Sequence, residues 1–109
     1  MGDRSTLGEF EELVLLAVAA LTSNAYGLSV QELLAQDAGR SVGLATVHSA
    51  LYRLERKGLL KSDLGGATQE RGGRSKRLFR LTASGRSTLL EKREARDQIW
   101  ARIPDLKQI

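Results

Sequence analysis

The densest chemistry in this 109-residue sequence is cationic. Arg71, Arg74, Lys76, Arg77 and Arg80 stand within ten positions with no acid among them, and Gly72-Gly73 lies inside the run. Guanidinium and ammonium groups beside bare backbone suit a phosphate chain, because each contact releases condensed counterions and glycine lets the main chain come close. The charge is unevenly spread. Residues 1–39 hold one basic and six acidic side chains (net −5), residues 40–80 ten and three (net +7), and residues 81–109 six and four (net +2). A field confined to the middle third is what a polyanion-binding surface requires, and a solvated basic face is the plainer reading of the same charges. Other chemistry is scarce. With no cysteine there is no disulfide, no thiol catalysis and none of the usual zinc sites. The lone His48 cannot build a metal site unaided, no nucleophile and base can be paired, and neither an enzyme nor a cofactor is expected.

The elements that must carry these side chains follow from hydrophobic spacing. Phe10, Leu13, Val14, Ala17, Val18 and Leu21 form one helical stripe, from which Leu15 and Leu16 project away; a second buried surface on this helix, most simply a partner subunit, is the expectation. Ser29 with Glu32 fits a capping box opening a second helix that runs to about Ala38, with Gly39 as its left-handed stop. A third helix, Ala45–Lys57, buries Val47, Ala50, Leu51 and Leu54 and ends at Gly58. Its opposite side carries Ala45, Ser49, Tyr52 and Arg56, flanked by Thr46, His48 and Arg53: small and polar at the start, basic at the end. Leu59–Ser62 and Ser75–Leu81 read as two strands joined through Gly65-Gly66 and Gly72-Gly73, which makes the basic run one arm of a hairpin. Thr82 caps a last helix that runs from Ala83 until Pro104 stops it. Leu89 and Leu90 lie early in that helix and Ile99, Trp100 and Ile103 late, with a polar stretch between. Its ends are therefore expected to pack on another subunit, against the Leu15/Leu16 face.

The predicted fold is mainly α with a small β-hairpin: a winged helix-turn-helix over residues 1–82, and a C-terminal dimerisation helix over 83–109 in the same compact unit. Hydrophobic residues make up 41% and charged residues 28%, an ordinary balance for a soluble domain, with no apolar run near the roughly 18 residues that cross a bilayer. A cytoplasmic location is expected.

Four blocks in order resemble the PadR family of bacterial regulators, in its short form with a single C-terminal helix. They are Leu7–Leu16, Ala25-Tyr26-Gly27, Thr46–Leu60 and Glu70–Thr82. The resemblance implies a homodimeric winged helix whose last helix crosses onto the partner's first helix. It also implies a role as a transcriptional regulator, usually a repressor on a roughly palindromic operator, in some members released by a small aromatic compound. His48 stands where the family usually has Tyr.

On that basis Arg53, Arg56, Arg71, Arg74, Lys76 and Arg77 are candidates to position the duplex through phosphates, and Thr46, Ser49 and Tyr52 to read base edges. Leu15, Leu16, Leu89, Ile99, Trp100 and Ile103 are candidates for the dimer interface. Trp100 could instead stack on a planar aromatic effector. His48 is either a DNA contact or a half-buried, hydrogen-bonded histidine. A winged-helix protein-interaction module without a DNA role is the alternative; it predicts an apolar or acidic outer face on the third helix.

Overall fold

The computed structural model describes residues 7–65 and 76–105. Helix α1 (Glu9–Leu21) follows an extended Gly8, whose N–H donates to Glu11 Oε1 at 3.3 Å. Glu9, Glu11 and Glu12 occupy the first turn, where carboxylates meet the positive end of the helix dipole. The helix ends at Thr22, a β-branched residue held at φ +52°, which starts a short 3-10 turn, Thr22–Asn24.

Helix α2 (Gly27–Asp37) begins two residues before Ser29, so the Ser29/Glu32 capping box does not form. Ser29 satisfies the helix start from inside it: its Oγ accepts the Tyr26 N–H at 2.9 Å and donates to the Asn24 carbonyl at 2.7 Å. Gly27, the first residue of the helix, is packed so that a Cβ there would run into the His48 ring. Gly39 takes the left-handed conformation (φ +66°) expected of it.

Helix α3 (Leu44–Arg56) buries Val47, Ala50, Leu51 and Leu54 completely. It stops at Gly58 (φ +81°), and the Leu59 N–H turns back to the Leu54 carbonyl at 3.0 Å, which satisfies an otherwise free acceptor. Strands β1 (Leu60–Leu64) and β2 (Arg77–Leu81) pair antiparallel, with Leu60 opposite Leu81 and Leu64 opposite Arg77. The hairpin base is tied to the helices through buried Phe79, whose N–H donates to the Ala25 carbonyl at 2.8 Å.

Helix α4 (Ala83–Trp100) starts as expected at Thr82. The Thr82 Oγ1 accepts the Gly85 N–H at 3.0 Å and donates to the Gly58 carbonyl at 2.7 Å. Gly85 is buried so closely against the turn before β1 that a Cβ would strike the Leu59 carbonyl oxygen. At 1.5 Å per residue the 18-residue helix is about 27 Å long. Among the described residues no helix is long and apolar enough to cross a membrane.

One interface expectation is corrected by this packing. Leu15 is 0% exposed within the single chain and belongs to the core, because α2, α3, β2 and α4 all contact α1 and bury a wider arc of it than its stripe defines. Leu89 is partly buried against the core of its own chain, and Arg96 Nη2 bridges to Glu12 Oε1 at 2.8 Å, which ties α4 to α1 at that point. Beyond Lys92 the residues of α4 are exposed: Ile99 is 66% and Trp100 58% exposed, with Ile103 partly exposed in the turn beyond, and earlier in the helix Leu90 is exposed too. Leu16, on the open side of α1, is also exposed.

Candidate nucleic-acid interface

The buried stripe of α3 fixes the direction in which its outer side chains leave the helix. Ala45, Thr46, Ser49, Tyr52, Arg53 and Arg56 are all exposed on that side, small near the N-terminus and large or cationic near the C-terminus. A shallow groove runs over His48, Ser49, Tyr52, Arg53 and Arg56. A second groove shares His48 and Tyr52 with it and reaches Lys76 and Arg77, where β2 begins opposite the end of β1. The structure thus brings the α3 candidates and two of the hairpin cations onto one continuous face. Arg71 and Arg74 lie outside the described residues.

Several of these side chains are held rather than loose. The Tyr52 ring stands edge-on to Phe79 with centroids 5.7 Å apart, which braces the outer face of α3 against the hairpin. Lys76 places its Nζ 4.2 Å from the centroid of the Tyr26 ring, a cation–π contact. Arg77 Nη1 donates to Ser62 Oγ at 3.0 Å, and Ser62 Oγ donates to Glu55 Oε2 at 2.8 Å, so a polar chain joins β2, β1 and α3. His48 is half-buried, as one of its two readings has it, with its ring against Gly27 and 6.3 Å from that of Tyr52. It makes no hydrogen bond to another side chain or backbone group among the described residues.

One member of this region escapes sequence reasoning. Glu11 of α1 is only 8% exposed, yet charged: Arg53 Nε donates to its Oε2 and Lys57 Nζ to its Oε1, each at 2.8 Å. Burial pushes this carboxyl up, but the hydrogen bonds from Lys57, Arg53 and the Gly8 amide outweigh it and bring its pKa from an ordinary 4.5 to about 2. The partners lie 42 and 46 positions along the chain, and no local spacing in the sequence signals such a pairing. Arg56, by contrast, has no ion pair or hydrogen bond through its side chain among the described residues. No group of three His, Cys, Asp or Glu among the described residues could hold a metal ion.

The chain matches the family model for the transcriptional regulator PadR-like family over residues 15–91. No sequence among curated proteins matches it. Among solved structures, it is similar to a PadR-like transcriptional regulator of Bacillus cereus, at 18% identity over 92% of each chain with a TM-score of 0.72. A PadR family transcription regulator of Clostridium difficile matches at 26% identity over 84% of this chain and 92% of that one, with a TM-score of 0.65. PadR of Bacillus subtilis, solved in complex with operator DNA, matches at 16% identity over 76% of this chain and 46% of that one, with a TM-score of 0.63.

Proposed function

The chain belongs to the transcriptional regulator PadR-like family, and from that premise we propose that it is a sequence-specific DNA-binding regulator that acts as a homodimer and represses from a roughly palindromic operator. The observation that carries this reading is the single face on which the exposed side of α3 meets the cations at the start of β2. Small residues at the start of α3 let that end sink into a major groove about 12 Å wide, while Thr46, Ser49 and Tyr52 present groups to base edges. Arg56, Lys76 and Arg77 lie where phosphates flank the groove, and Arg71 and Arg74 extend the same cationic run in sequence. Arg53 borders this face but is held on Glu11, and in this reading it makes none of the phosphate contacts. An interaction module without a DNA role has no support in a face this polar and basic.

The partner copy is proposed to cover Leu16, Ile99, Trp100 and Ile103, four of the large apolar groups that one chain leaves exposed, together with the uncovered part of Leu89. Two α3 helices would then enter successive major grooves about 34 Å apart. Trp100 acts in this reading as an anchor between subunits. Its second role, stacking on a planar aromatic effector, is tested by fluorescence titration of this single tryptophan, and an absence of quenching by any such compound removes it.

The experiment for the main reading is enrichment of a tight-binding duplex from a random pool, followed by mobility shifts with the wild type and Arg56→Ala. Enrichment of an inverted repeat is the expected result. A chain that retains no duplex at low salt would overturn the proposal.

A further inference from the structure

Resting on the DNA-binding reading, we infer that Glu11 is a specificity-determining residue: it withholds two of the cations on α3 from phosphates, so that the duplex meets fewer charges than the sequence carries. The geometry is direct. Arg53 and Lys57 sit on the flank of α3 that faces the first turn of α1, and each gives a 2.8 Å charged hydrogen bond to a different oxygen of the same carboxylate. Glu11 is 8% exposed, and its two oxygens each take a separate charged hydrogen bond, one from the mostly covered Lys57 and one from the half-exposed Arg53. Arg56, one helical turn from Arg53 on the outer side, has no such restraint.

The consequence for recognition follows from how the two parts of DNA affinity arise. Phosphate contacts add to binding on every sequence alike, whereas base contacts discriminate. Each cation left free to reach the backbone therefore strengthens random and selected duplexes together and narrows the gap between them. A carboxylate that ties two such cations to the protein keeps the non-specific term low. It also fixes the end of α3 against α1, which keeps Ser49 and Tyr52 in one register. Glu11 is a positioning residue in this scheme and touches no DNA.

The test measures binding of the full chain to a labelled random-sequence duplex by fluorescence anisotropy across a salt series. Glu11→Gln is expected to bind more tightly than the wild type, with the slope of log K against log salt steeper by about 0.9 for each cation released on a bound protomer. Its preference for a selected duplex over the random one is expected to narrow. A residue that merely supported the fold would weaken binding and leave the slope as it was or make it shallower, and that result would overturn the inference. If Glu11→Gln does not fold, Arg53→Gln decides. In the wild-type background it is expected to leave the slope unchanged, because that cation is already spoken for, while Arg56→Gln lowers it by about 0.9. A drop of that size with Arg53→Gln refutes the withholding role. Failure of the wild type to bind any duplex is a different outcome and takes down the DNA-binding reading itself.

Discussion

Helices α3 and α4 both leave side chains in the open, but of opposite kinds. On α3 most of the exposed groups are polar, and neighbours hold some of the face they form: Tyr52 against Phe79 and, across the hairpin, Arg77 on Ser62. The far end of α4 exposes two large apolar groups among its polar ones, Ile99 and Trp100, each more than half uncovered. The contrast separates two tasks. A polar face already ordered within one chain loses little conformational freedom when it docks, which suits recognition by geometry. An apolar end left in water gains by burial, which suits association with a second copy.

The comparison can be broken first from the α3 side. Leu51→Ala removes a fully buried side chain beneath the outer face and is expected to cost about 2–5 kcal/mol, read as a lowered midpoint in urea with fluorescence of Trp100 as the probe. The α4 side is broken by placing charges on its open end. Ile99→Glu with Trp100→Glu should halve the mass in sedimentation equilibrium and weaken binding to a two-half-site duplex by at least about tenfold, about 1.4 kcal/mol, while circular dichroism stays that of a folded chain.

A smaller effect concerns acid. The pKa of Glu11 is lower in the folded chain than in the unfolded one, so the stability it contributes is fully present above about 4.5 and is lost as pH falls toward about 2. Glu11→Gln should flatten that limb of the stability profile in urea melts at stepped pH. The smallest change in stability is expected for Arg56→Ala, within about 0.5 kcal/mol because the side chain is exposed and unpaired among the described residues. Its effect should appear in DNA binding alone, as a salt slope shallower by about 0.9. If Arg56→Ala instead lowered stability as Leu51→Ala does, the division between an ordered outer face and a supporting core would fail.

The legible parts of this molecule were those that depend on periodicity and local conformation. The α3 stripe of Val47, Ala50, Leu51 and Leu54, the positive-φ stops at Gly39 and Gly58, and the Thr82 cap all follow from spacing or residue type within a few positions. What was misread depends on the rest of the chain. Leu15 projects away from the stripe of its own helix and is nevertheless buried, since the arc that α1 covers is set by four other elements. Ser29 and Glu32 have the spacing of a cap, but the Ser29 hydroxyl bonds back to Tyr26 and Asn24 from inside a helix that begins at Gly27. For the candidate site, the outer residues of α3 could be named from their side of the helix, and the basic run from its composition. Glu11 could not be, because its role depends on two cations more than forty positions away.

Gly85 has a consequence for how the chain tolerates change. Alanine ordinarily improves on glycine in a helix, by up to about 1 kcal/mol in its interior, so a survey of every substitution along α4 would be expected to favour it at this first-turn position too. At Gly85 the sign reverses, since the first atom of any side chain meets the Leu59 carbonyl, a main-chain group that cannot swing aside. Such a survey should show one narrow intolerant position between the permissive, exposed Ser84 and Arg86. It would mark where the last helix touches the backbone of the winged core, without a structure in hand.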